Sequence, residues 1–320
     1  MSEFKLDRNR KRVRNCPCGK SNKDGKFSPF IEHEKFGYCH SCCETFFPDS
    51  EKKVEPIYIE PLPASSMDYD LVIKSGQAFE KNNFAIWLKK WFIETKTDEL
   101  IKQYSIGTST HWNGANVFWQ IDNLNVVRGG KIMLYNASNG KRIKNPYNHI
   151  NWVHSVLKTP HYNLKQCLFA EHLTSIDKHK TIAITEAEKT SVFMAGMHPN
   201  YIWLATGCKG NFKYDLLRKL YGRKILAYPD KCEFNNWLDV ANELSDKYGF
   251  DITIDSTIEN SELPDGSDLV DYYEAGNTLF KPIRTQAEQM VDALHKKNPA
   301  INDLIDTFDL TDELGFTIRT

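Results

Sequence analysis

From Thr181 to Asp255 the chain alternates short apolar runs with longer amphipathic ones. Thr181-Ile-Ala-Ile-Thr185, Tyr201-Ile-Trp-Leu-Ala205, Lys224-Ile-Leu-Ala-Tyr228 and Asp251-Ile-Thr-Ile-Asp255 suit strands. Glu188 to Ala195, Phe212 to Tyr221 and Glu233 to Tyr248 suit helices. Strands separated by helices of this length admit few folds. The expected product is a mostly parallel sheet flanked by helices.

Open parallel sheets bind ligands beyond the carboxyl ends of their strands. Glu186 immediately follows the first strand, and Asp230 follows the third. Asp268 and Asp271 follow the fourth by a loop. Carboxylates converging there can hold Mg²⁺ or Mn²⁺ through oxygen ligands. Such a metal supports phosphoryl or nucleotidyl transfer, and one carboxylate can serve as acid or base. A plainer reading stands beside this one. An acid at a helix start is favoured by the macrodipole, and Asp268 suits the N-cap of the helix that holds Asp271. Cys208-Lys-Gly210, after the second strand, suits either a phosphate contact or a simple turn.

Five of the eight cysteines fall between Cys16 and Cys43. Clustered cysteines in a chain without a secretory signal indicate metal more than disulfides. Cys16-Pro-Cys18-Gly and Cys39-His-Ser-Cys42 form two knuckles that can supply four thiolates to one tetrahedral zinc. Cys16, Cys18, Cys39 and Cys42 are the expected ligands, with His40 and Cys43 as substitutes. A module of ~50 residues has too small a core to fold well alone, so the zinc is expected to be structural.

Residues 51–66 carry Pro56, Pro61 and Pro63 and read as an extended linker. Phe79 to Ile101 places Phe84, Trp87, Leu88 and Trp91 on one side, as a packed helix or helix pair would. Residues 104–145 read as strands, with a hairpin turn at Asn139-Gly140. The expected fold class is α/β. It has an N-terminal zinc ribbon (1–50), the linker, a mixed α+β middle subdomain (67–180), the parallel sheet (181–275) and a helical C-terminal segment (276–320).

Composition excludes some classes. With 41% hydrophobic and 26% charged residues over 320 positions, the chain is neither disordered, collagenous nor a simple coiled coil. No apolar run approaches the ~18 residues of a membrane helix. The N-terminus shows no secretory signal, which predicts the cytoplasm. The net charge of -1 hides an asymmetry. Arg8 to Arg14 and Arg128 to Lys144 are basic, whereas carboxylates dominate Asp230 to Glu274. Such a chain can bind a polyanion with one half and cations with the other. A solvated, uneven surface is the plain alternative.

Taken together, the Glu186-x-Glu188-Lys189-Thr190, Pro229-Asp230 and Asp268-x-x-Asp271-Tyr272-Tyr273 stretches resemble the toprim domain. Bacterial and phage DNA primases, topoisomerases and some nucleases share that domain. The ribbon resembles the zinc-binding domain of those primases. Asn116-Val-Phe-Trp-Gln-Ile-Asp122, Arg128-Gly-Gly-Lys131, Lys141-Arg142, Asn151-Trp-Val-His154, Glu171-His172 and Trp203-Leu-Ala-Thr206 are similar to an uncharacterised family of zinc-ribbon and toprim-like proteins. Its members are related to the primases and often linked to mobile elements. The resemblance spans about Asn15 to Tyr273.

The resemblance implies Glu186 as general acid/base, Asp230 as the first aspartate of a metal-binding pair, and Asp268 with Asp271 as the downstream acidic motif. Cys232 stands where the second aspartate of the pair is expected, which weakens Mg²⁺ binding unless Glu233 or Asp271 substitutes. Ala187 replaces a common glycine. Arg128, Lys131, Lys141, Arg142 and Lys189 are the implied contacts to nucleotide or template phosphates. Implied partners are single-stranded DNA and nucleotides, with a separate helicase, since Gly19-Lys20-Ser21 lacks the upstream P-loop glycine at Arg14. A primase-like nucleotidyltransferase is the first expectation. A DNA-binding accessory protein with weakened catalysis and a toprim nuclease are the alternatives.

Overall fold

The structure is a computed structural model that describes residues 4–48, 63–279, 294, 298 and 300–308. Most of the expected linker and much of the expected C-terminal helical segment lie outside these residues. Within that segment, Ile301–Phe308 is a helix. The chain divides into two compact units, Met1–Pro61 and Leu62–Thr320.

In the first unit, β1 (Phe27–Pro29), β2 (Gly37–Cys39) and β3 (Glu44–Phe46) form an antiparallel meander. Its core is small: Cys16, Phe27 and Cys39, with Val13, Cys18, Cys42 and Phe46 against them. Gly37 has φ +153°, and a Cβ there would lie 2.2 Å from the Ser28 carbonyl oxygen. Only glycine permits that approach of β1 and β2. Asn22 is buried and ties the N-terminal arm to the ribbon. Its Nδ2 donates to the carbonyls of Arg10 (2.6 Å) and Val13 (2.9 Å), and its Oδ1 accepts from the Phe27 N–H (2.7 Å).

The second unit opens with α1 (Asp70–Ser75), α2 (Asn83–Leu88) and α3 (Glu94–Gln103). Asn82 caps α2 by accepting from the Phe84 and Ala85 N–H groups. Then β4 (Ile106–Ser109), β5 (Ala115–Ile121), β6 (Val127–Met133) and β7 (Ile150–Trp152) form an antiparallel sheet in sequence order, followed by α4 (Val153–Val156). Every residue of β5 is buried. Phe118 faces one core, whereas Val117 and Trp119 face another.

The parallel sheet follows as expected: β8 (Ile182–Thr185), α5 (Glu188–Met197), β9 (Ile202–Ala205), α6 (Tyr214–Leu217), β10 (Lys224–Tyr228), α7 (Phe234–Tyr248), β11 (Asp251–Ile254) and α8 (Leu269–Glu274). The strand order is β11-β10-β8-β9, with every pair parallel. The helix expected over Phe212 to Tyr221 is shorter, because α6 tightens into a 3-10 turn at Arg218–Leu220. Gly249, at φ +70°, ends α7 in the left-handed conformation.

The boundary expected near residue 180 does not separate two cores. One buried cluster includes Phe84, Phe118 and Phe169 together with Ile184, Phe193 and Trp203. Phe193 of α5 packs its ring against Trp87 (5.8 Å), Trp91 (5.0 Å) and Phe92 (5.8 Å). The antiparallel and parallel sheets therefore stand or fall as one packed body.

Candidate active site at the carboxyl edge of the parallel sheet

The strand order fixes where the site lies. β8 connects to β9 on one side, and β10 connects to β11 on the other. The crevice between the carboxyl ends of β8 and β10 is thus the topological switch point. Glu186 and Asp230 both stand there, one residue past Thr185 and two past Tyr228, which are register partners.

Local chemistry holds each group in place. Thr185 Oγ1 hydrogen-bonds Ser191 Oγ (2.7 Å), and Ser191 Oγ donates to the Leu204 carbonyl (2.6 Å). These bonds seat the first turn of α5 on β8 and β9. The Gly207 N–H donates to the Glu186 carbonyl (2.8 Å), so the loop after β9 folds over Glu186. Burial pushes the Glu186 carboxyl above its ordinary value, and Glu233 pushes it further. The Lys209 ammonium, a hydrogen bond from the Lys209 backbone and Lys131 pull it back. Asp230 is pushed well above its ordinary value by burial, then by Glu186, Asp268 and Asp271. Lys189 opposes this. A carboxyl raised by its acidic neighbours in this way marks a negative field into which a cation fits.

Asp268 and Asp271 take a different part. Asp268 is the N-cap of α8, accepting from the N–H groups of Val270 (2.8 Å) and Asp271 (3.0 Å). Asp271 Oδ2 accepts in return from the Asp268 N–H (3.1 Å), which completes a capping box. The second Asp268 oxygen accepts from Thr190 Oγ1 (2.6 Å) and lies 3.9 Å from Lys189 Nζ. Burial raises the Asp268 carboxyl, but Lys189, Thr190 and the backbone bonds outweigh it and hold it low. Both oxygens of Asp268 are therefore already in use.

Cys232 adopts φ +74° and is exposed. Its backbone N–H donates to Glu259 Oε2 (2.8 Å), and a hydrogen bond to Asp265 first, then burial, raise its thiol. Its backbone and thiol are thus tied to the acidic 259–265 loop. Glu233 is the acid that comes beside Glu186, where Lys209 Nζ donates to its Oε1 (2.7 Å) and Asn236 to its Oε2 (2.8 Å).

The expected basic residues divide. Lys131 reaches from β6 to the parallel sheet, donating to Glu188 Oε1 (2.9 Å) and the Gly207 carbonyl (2.8 Å). Lys189 lies over the Trp87 ring at 5.3 Å, beside Asp268. Arg128 is elsewhere. It pairs with the buried Asp122 (2.7 Å) and lines a cavity of about 220 Å³ with Lys165, Arg218 and Lys219. Lys141 and Arg142 are exposed on the segment after β6. The field of Lys141 reaches Glu274, and that of Arg142 reaches Tyr135.

Sequence reasoning missed Glu188, Lys209 and Trp87. Lys131 and Glu188 are 57 positions apart, and nothing in either segment announces the pairing. The undecided Cys208-Lys-Gly210 loop gave the one signal, and its lysine is held at Glu186 and Glu233.

In the first unit, the ligand atoms of Cys16, Cys18, Cys39 and Cys42 all lie within 4.8 Å of one another. Among the described residues this is the one set of three or more such atoms that could share an ion. The Cys16 N–H donates to the Lys20 carbonyl (2.8 Å), which closes the knuckle, and Gly19 turns at φ +86°. Burial pushes the Cys16 and Cys42 thiols up, Cys42 to about 11. Burial also raises Cys39, but hydrogen bonds from Cys16 and from the Cys42 and Ser41 backbone bring it down to about 7. Four crowded sulfurs of this kind suit a metal ion such as zinc, whose charge stabilises all four thiolates together. His40 and Cys43 are exposed and outside the quartet.

Among the described residues, no helix is long and apolar enough to cross a membrane. No curated protein matches the chain. The crystal structure of the RNA polymerase domain of Mycobacterium tuberculosis primase DnaG is similar at 12% identity and a TM-score of 0.41, covering 64% of this chain and 76% of that one. Residues 82–231, which hold Lys131, Glu186, Lys189 and Asp230 but neither the cysteine quartet nor Asp268 and Asp271, match the family model described as a domain of unknown function, DUF6371.

Proposed function

We propose that the chain is a primase-like protein that acts on single-stranded DNA and joins nucleotides with the help of Mg²⁺ or Mn²⁺. One observation carries the reading. Glu186 and Asp230 share the switch point of the parallel sheet, Glu186 raised by burial and by Glu233, Asp230 raised by burial and by Glu186, with Lys131, Lys189 and Lys209 around them. A raised carboxyl is suited to take the proton of an attacking hydroxyl. The lysines suit the phosphates of a nucleotide.

The metal fits this edge in a particular way. Asp268 is spent on its cap, so the pair Glu186 and Asp230 is left to hold a divalent ion. Magnesium is commonly bound by one or two carboxylates, with substrate phosphates and water completing its shell. When bound, it would supply charge stabilisation for nucleotidyl transfer. The zinc ribbon, with its exposed Arg8, Arg10, Lys11 and Arg14, would bind template. A separate helicase, cytoplasmic location and a mobile-element setting belong to the same reading.

The test is primer synthesis on single-stranded DNA with labelled ribonucleotides and Mg²⁺ or Mn²⁺. The parent should make short products. Glu186→Gln should lower the yield at least ~100-fold, the scale of a lost general base. Degradation of the template instead of synthesis would mark the nuclease. A second reading rests on the Asp268–Asp271 capping box and the tie of Cys232 to the 259–265 loop: an accessory protein that binds DNA without catalysis. Absence of products from the parent, with equal DNA binding by parent and Glu186→Gln, would establish that reading.

A further inference from the structure

Between Asp122 and Glu171 the sequence contains no acidic residue and seven lysines and arginines. In a chain of net charge -1 this is a strong local bias. Two of the seven, Arg128 and Lys131, are taken up by buried carboxylates. Lys141, Arg142 and Lys144, on the segment between β6 and β7, are exposed and form no ion pair with a described residue.

The same segment carries a column of rings. Tyr147 stacks on His149 with centroids 4.4 Å apart and planes 24° apart. His149 meets Trp112 edge-on at 5.1 Å. The column is held from behind, since His149 Nδ1 hydrogen-bonds the Ile143 carbonyl (3.1 Å). Tyr147 is 55% exposed, so one ring face rests on His149 while much of the rest is open. An exposed tyrosine on a preformed stack, next to three exposed cations and away from any acid in its own segment, suits a ligand with flat rings and negative charge in alternation. Single-stranded nucleic acid has that chemistry. A duplex hides its base faces in its own stack, and an apolar protein surface would leave three cations unsatisfied.

We propose that Lys141 to His149 is a track for single-stranded nucleic acid, with one base stacked on Tyr147 and phosphates on Lys141, Arg142 and Lys144. The track rests on the nucleic-acid reading given above. It does not depend on catalysis, and it lies away from the Glu186 carboxyl in sequence and in role.

The experiment is photo-crosslinking of the full-length, zinc-loaded protein to bromouracil-substituted oligothymidylate, with the crosslinked peptide mapped by mass spectrometry. The peptide containing Tyr147 should crosslink to the single strand and not to the matching duplex. Tyr147→Ala should lose that crosslink and weaken binding ~10-fold, the effect of one lost base stack. Tyr147→Phe should keep both, which rules out a folding defect. Replacing Lys141, Arg142 and Lys144 together by Gln should reduce the slope of log affinity against log salt by about 2. Oligouridylate run in parallel separates RNA from DNA, and a Tyr147 crosslink to either supports the track. Glu186→Gln should crosslink as the parent does, whatever its activity. Crosslinks confined to residues 4–48, or Tyr147→Ala binding as tightly as the parent, would overturn the track and leave the proposed function standing. No binding of any single strand by the parent would overturn both.

Discussion

Asp230 binds its proton more tightly in the folded chain than in the unfolded one, because burial and the charges of Glu186, Asp268 and Asp271 disfavour its ionised form. Its effect on stability has the opposite sign to that of an ion-paired aspartate. The fold is not penalised at low pH, and the penalty grows as pH rises above the ordinary value of 3.8 toward the raised folded one. Asp230→Asn removes the penalty. Its melting temperature should exceed the parent's near neutral pH and converge with it in acid, as measured by scanning calorimetry across that range. Mg²⁺ should raise the parent's melting temperature more than the variant's. Equal pH dependence in both would show that Asp230 does not feel its neighbours. The identities of Glu186 and Asp230 were legible in the sequence because each directly follows an apolar strand. Their mutual repulsion was not, since it depends on β8 and β10 being neighbours.

At the scale of elements, α8 is six residues long and is capped by Asp268. So short a helix has little stability of its own, so its cap matters. Asp268→Ala removes two backbone acceptor bonds and the Thr190 contact, and should cost about 1–2 kcal/mol in urea unfolding. Asp268→Asn should cost much less, because an asparagine oxygen caps nearly as well. If Asp268 served a metal first, alanine would leave stability unchanged and shift the Mg²⁺ requirement instead. The Asp-x-x-Asp spacing carried both readings at once, since a capping box and a metal motif can use the same residues. Which partners the oxygens find decides between them, and Thr190 comes from a helix 78 positions away in sequence. The opposite case is α6. Its sequence reads as a longer helix, but the turn before β10 tightens it after Leu217.

Across the whole molecule the two units differ in what holds them together. The first has three buried side chains at its centre, two of them cysteines. The second shares one extended aromatic and aliphatic core between both of its sheets. Stripping the cysteine quartet of the zinc it suits should therefore unfold the first and spare the second. After chelation, hydrogen exchange is expected to lose protection over residues 4–48 and keep it in β5, β6 and β8. Atomic absorption should count about one zinc per chain before treatment. Loss of protection in both units together would mean that the second also depends on the ion.

The parallel sheet, its helices, the cysteine quartet and the acids at the strand ends are all legible in the order of the residues. Each of these is encoded by periodicity or spacing within a few tens of residues. Folding in three dimensions sets which acids come together, the bridge from Lys131 to Glu188, the place of Arg128 in a separate cavity, and the ring contacts of Tyr147, His149 and Trp112. Those outcomes depend on strand order and on contacts between distant segments. The energy of a contact resides in the distance between its groups, and no local pattern in a chain records that distance.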